Sequence, residues 1–90
     1  MILDLGGINS VQELHLKLKT ALHFPNDYGM NWDAFRDCIQ AVDGQYDDII
    51  LRDWKSFENS MPSDAEIFKE VISDFNRNAQ ETEIAIEQVF

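Results

Sequence analysis

Ninety residues suffice for one domain and are too few for two, and 44% hydrophobic with 27% charged residues argues against a disordered chain. Seven Lys and Arg stand against seventeen Asp and Glu, a net charge of −10. That field repels phosphate backbones and anionic membrane surfaces, so direct nucleic-acid and membrane partners are excluded, while simple solubility or a basic protein partner remain.

The first segment, Met1 to Leu5, is short and apolar and stops at Gly6-Gly7, which predicts a strand and a turn. Its Asp4 stands where a secretory leader is basic or apolar, and no apolar run is long enough to span a bilayer, so a cytoplasmic chain is expected. Ser10-Val11-Gln12-Glu13 has capping-box spacing, and Val11, Leu14, Leu18, Ala21 and Leu22 follow at helical intervals until Pro25. His15 flanks that stripe and reads as a packed or hydrogen-bonded histidine. His23 lies near the helix C-terminus, where a cation is favourable.

Asn26 to Met30 reads as a loop, with Asn31 the N-cap of a second helix running to about Val42. Trp32, Phe35, Ile39 and Val42 fall on its inward face, and Asp33, Asp37 and Gln40 on the other. Cys38, the one cysteine, excludes an internal disulfide, suits a reducing cytoplasm and reads as a small core residue rather than a nucleophile. Asp43-Gly44 marks a turn, Ile49-Ile50-Leu51 a buried strand, and Trp54 to Asn59 a short helix or turn. Beyond Pro62, Ser63-Asp64-Ala65-Glu66 reads as a second capping box, heading a helix with the stripe Ile67, Phe68, Val71, Ile72 and Phe75. Glu83 to Glu87 alternates like a final strand. This order predicts one α/β domain over residues 1–90, with a small parallel sheet whose crossovers are the helices.

The chemistry concentrates between Asp27 and Asp37. Asp33 and Asp37, four apart, share one helix face, and like charges at that spacing cost a few tenths of a kcal/mol. Asp33 recovers part of this from the helix dipole, whereas Asp37, a turn deeper, gains little. Asp27 adds a third carboxylate from the loop. A solvated acidic face and a binding face both fit these residues. Divided acid and base roles would need a deep pocket, for which the chain has little material. Asp27, Asn31 and Asp33 lack the ligand spacing of a calcium loop, and neither metal nor cofactor is expected.

The run Asp27-Tyr28-Gly29-Met30-Asn31-Trp32-Asp33-Ala34-Phe35-Arg36-Asp37-Cys38-Ile39 resembles the signature of the barstar family of ribonuclease inhibitors, a Tyr-Gly-x-Asn loop followed by a helix reading Asp-Ala-x-x-Asp-Cys. The likeness extends to the helix around Val11–His15, to Pro25, to the strand ending near Trp54, to Phe57-Glu58 and to the helix ending at Phe75. It implies a three-stranded parallel sheet packed with about four helices. It also implies a cytoplasmic protein, not an enzyme and monomeric when free, that plugs the active site of a basic ribonuclease. By the same resemblance Asp33 and Asp37 match the inhibitory helix, Gly29 and Asn31 the binding loop, and Glu81 an acid after the last helix. Asp27 replaces an aromatic of the binding loop, Arg36 and Val42 replace tryptophans near the contact face, and Arg77 replaces an acid. Asp27 and Arg36 therefore complete the expected contact set, and the partner is not expected to be barnase itself. An immunity protein against another nuclease toxin and a binding module without a toxin are the alternatives; a carboxylate hydrolase ranks last.

Overall fold

The computed structural model describes residues 1–87. Strand β1 (Ile2–Asp4) leads to α1 (Val11–Leu22) and α2 (Trp32–Ile39), which continues as a 3-10 turn over Gln40–Val42. Strand β2 (Asp48–Arg52), helices α3 (Trp54–Ser60) and α4 (Pro62–Asn78), and strand β3 (Glu83–Ile86) follow. The sheet order is β1-β2-β3 and both pairings are parallel, as the helix-filled connections require. Leu5 N–H donates to the Arg52 carbonyl and Ile50 N–H to that of Met1, so the ladder reaches the ends of the predicted Met1–Leu5 segment.

Local chemistry sets most boundaries. Ser10 caps α1 by accepting the Glu13 N–H at 3.1 Å, while the Glu13 carboxylate takes the Ser10 hydroxyl. His23, left-handed at φ 57°, closes that helix two residues before Pro25. The second capping box does not form. Proline is preorganised for the first turn, where its missing N–H costs nothing, so α4 starts at Pro62 and Ser63 already lies inside it.

The buried side chains of the sheet, Leu3, Ile49, Leu51 and Ile84, face one way. Against them pack Leu14, Leu18 and Leu22 of α1, Phe35 and Ile39 of α2, and Phe68, Val71 and Ile72 of α4. Where Leu3, Leu18, Phe35, Ile49, Leu51 and Phe68 meet, the remaining gap is about 10 Å³. On the opposite face Ile2 pairs with Ile50 and Ile50 with Ala85, with Ile2 exposed and the other two half-buried. The middle of the Ile49–Leu51 run is thus less buried than a strand covered on both faces, because the helices crowd one side. Phe68 stacks at 4.9–5.7 Å against Trp32, Phe35 and Trp54, tying α2 and α3 to α4. Among the described residues no helix is long and apolar enough to cross a membrane.

Candidate functional site

The loop before α2 is held from three sides. Tyr28 N–H donates to the Pro25 carbonyl at 3.0 Å, closing a turn, and the Tyr28 ring is buried. Met30 adopts the left-handed region at φ 57°, a conformation that costs a non-glycine residue roughly 1–2 kcal/mol and is offset here by packing of its side chain against the core. Asn31 is then extended, and its side-chain oxygen accepts the Ala34 N–H at 2.8 Å while its amide donates to the Gly29 carbonyl at 3.1 Å. Such a cap contributes about 1 kcal/mol. A Cβ on Gly29 would stand 3.2 Å from that of Ala34, a tight contact that a side chain there could meet only by a small shift of loop or helix.

This start fixes how α2 turns. Phe35 and Ile39 are buried and Trp32 is partly buried, while Asp33, Asp37 and Gln40 are exposed along the other face. Asp27 is exposed in the loop. Cys38 lies between, half-buried; burial pushes its thiol up first, and the carboxylates of Asp37 and then Asp27 push it further, which disfavours the thiolate. Gly29 and Asn31 are exposed beside them. The ion pairs among the described residues are Arg36–Asp74, Arg52–Glu87, Lys69–Glu58 and Arg77–Asp74, and none engages Asp27, Asp33 or Asp37.

Arg36 turns the other way, across a groove of about 360 Å³ between α2 and α4. It donates to Asp74 at 2.9 Å, and Arg77 approaches the same carboxylate at 3.4 Å. The hydrogen bond from Arg36, opposed by partial burial and aided by both positive charges, holds the Asp74 carboxyl below its usual range. Glu81 is exposed beyond the far end of the groove, its carboxylate over Gly44. The expected contact residues therefore divide: Asp27, Gly29, Asn31, Asp33 and Asp37 lie on the loop and α2, Glu81 stands on the α4–β3 connection, and Arg36 is committed to α4.

A buried network beneath the loop is not marked in the sequence beyond the bare presence of His15. His15 is fully buried, its Nδ1 2.7 Å from the Tyr28 hydroxyl and its ring edge-on to Trp32 at 4.8 Å. The Tyr28 hydroxyl also lies 3.4 Å from the Asn31 carbonyl, and His15 Nε2 is buried with no hydrogen-bond partner among the described residues. Trp32 Nε1 donates to Asp64 at 2.9 Å. Burial lowers the His15 pKa from its ordinary 6.5, more than the nearby Asp64 raises it. The unfolded chain therefore binds a proton below about pH 6.5 that the folded chain refuses, so this stability is complete above that pH and is lost as pH falls toward the folded pKa. Urea midpoints should fall from about pH 7.5 to about pH 5.5, and His15→Gln should flatten that fall; an equal fall in the variant would assign the pH dependence to other groups.

A three-stranded parallel sheet packed with helices on one face, one of them capped by Asn31 and carrying exposed acids, describes a small α/β protein. Over residues 1–90 the sequence matches the family described as Barstar (barnase inhibitor), and the chain belongs to that family. Members of the family are inhibitors rather than enzymes.

Proposed function

We propose that this chain is a cytoplasmic inhibitor of a basic ribonuclease, acting as a single monomeric domain whose loop and α2 enter the enzyme's active site. The observation that carries this reading is the pair of exposed carboxylates of Asp33 and Asp37 on α2, engaged by none of the described ion pairs, in a member of the barstar family. A ribonuclease site needs cations to hold phosphate oxygens, and carboxylates spaced along a helix meet the same cations. Asp27, Gly29 and Asn31 contribute from the loop, and Glu81 from beyond α4. The test is RNA cleavage by the ribonuclease encoded beside this chain, titrated with the purified protein. Cleavage should vanish near one equivalent; full cleavage at large excess overturns the reading.

Opposite fields speed encounter, so the association rate should fall steeply as salt shortens the Debye length from about 10 Å at 0.1 M to about 3 Å at 1 M. Stopped-flow mixing over that range checks this, and a flat rate would remove electrostatic steering. A second reading of the partner, a nuclease toxin that is not a barnase-like ribonuclease, is favoured by Arg36 and Arg77, whose guanidiniums meet at Asp74 and offer donors to an acid or carbonyl of the partner. Whether the partner cuts RNA or DNA, each reaction titrated with this protein, distinguishes the two.

A further inference from the structure

The turn after α2 and the connection after α4 are fastened together by a carboxylate on one side and a threonine hydroxyl on the other. Asp43 accepts the backbone N–H of Gln80 on Oδ2 and those of Glu81 and Thr82 on Oδ1, each at 2.9 Å. Thr82, itself buried, closes the junction from the other side: its hydroxyl accepts the Gly44 N–H at 2.8 Å and donates to the Tyr46 carbonyl. Gly44 is left-handed at φ 91°, and a Cβ there would lie 2.6 Å from Glu81 Oε2, so the Glu81 carboxylate occupies the space that glycine leaves open. The three N–H donors hold the Asp43 carboxyl below its ordinary range, which keeps it a charged acceptor at neutral pH.

We propose that Asp43 and Gly44 are positioning residues for Glu81, setting where its carboxylate stands relative to Asp33 and Asp37, so that the ribonuclease meets two acidic elements at one fixed spacing. This rests on the inhibitor reading above. Glu81 lies on a short connection between α4 and β3, which would otherwise have to be ordered on binding. An acid already fixed opposite its cation avoids that entropic cost. On that connection the Asp43 carboxylate takes the Glu81 N–H itself, Thr82 adds a second tie to the same turn, and Asn76, which bonds both backbone groups of Ile84, holds α4 to β3 only.

A double-mutant cycle on affinity for the ribonuclease encoded beside this chain separates positioning from a purely structural role. Glu81→Ala and Asp43→Ala should each weaken binding about 10-fold, and the double variant should bind no more weakly than Glu81→Ala alone. Urea stability of all three runs alongside, and the loss from Asp43→Ala should be the same with or without Glu81. Gly44→Ala, which displaces the Glu81 carboxylate without touching Asp43, should show the same dependence on Glu81 and carries the test should Asp43→Ala fail to fold. An affinity loss that persists undiminished in the Glu81→Ala background overturns the proposal, as does unchanged affinity in both Asp43→Ala and Gly44→Ala. Asp37→Ala is measured in parallel: if it too leaves affinity unchanged, the α2 contact face has failed, whereas absence of any binding or inhibition by the unaltered protein fails the inhibitor reading itself.

Discussion

Asp37→Ala is expected to weaken the ribonuclease complex by about 2–4 kcal/mol, roughly 30- to 1,000-fold, the range of a central interface hot spot, for which the complex of the family's namesake with barnase is a reference case. Asp37 is the acid at the middle of the exposed face of α2, with Asp33 a turn before it and the Gly29–Asn31 loop beyond. A charge at the centre of a docked face loses its water and must be met by the enzyme's cations, so truncation also strands those cations unpaired. Asp33→Ala should cost less, since part of that side chain's work is to complement the helix N-terminus. The same Asp37 change should leave folding stability within about 0.5 kcal/mol or raise it slightly, because it relieves like-charge repulsion across one turn. Calorimetric titration with Glu70→Ala, an exposed acid on α4, as the control decides the matter. Equal affinities for Asp37→Ala and Glu70→Ala would show that the α2 face is not the contact.

Phe68→Ala should produce the largest loss of stability, about 3–5 kcal/mol, where the total for a domain is only about 5–15 kcal/mol. Phe68 is 1% exposed and its ring meets Trp32, Phe35, Trp54 and Phe57. The cavity cannot close easily, because those rings come from two helices, α2 and α3, with different anchors. Two of them belong to α2, so the binding helix should lose rigidity as well, and the affinity loss should be recovered in part by Phe68→Leu, which refills most of the space. Urea denaturation measures the first effect; a loss below about 1 kcal/mol would mean that the cluster repacks around the gap.

The two effects differ in how visible their origins are in the chain. The positions of the carboxylates follow from local rules: Asn31 caps, Phe35 and Ile39 turn inward, and Asp33 and Asp37 must then turn outward. The cluster around Phe68 was legible only as an apolar stripe. Periodicity says which face of α4 is buried, not that Trp32 and Trp54 would meet on it from opposite sides. Arg36 illustrates the same limit within the candidate site. Its place in the signature run suggests a contact residue, but an acid thirty-eight positions away holds its guanidinium against α4.

What the sequence by itself determined is the order of elements, the parallel sheet that such an order demands, and the acid-bearing outer face of α2, all set by spacing, caps and turn residues within a few positions of one another. Even there boundaries moved: the second helix, expected to run to about Val42, is α-helical only to Ile39 and ends in a 3-10 turn, and of Pro62 and Ser63, which both suit a helix start, the proline took it. Only the tertiary structure decided that His15 lies sealed under Tyr28, that Asp74 serves two arginines, and that Asp43 holds the backbone carrying Glu81. Those contacts join residues remote in sequence, and they form because packing of the helices on one face of the sheet brings their ends together. A local pattern carries no record of which distant N–H or carboxylate will arrive there.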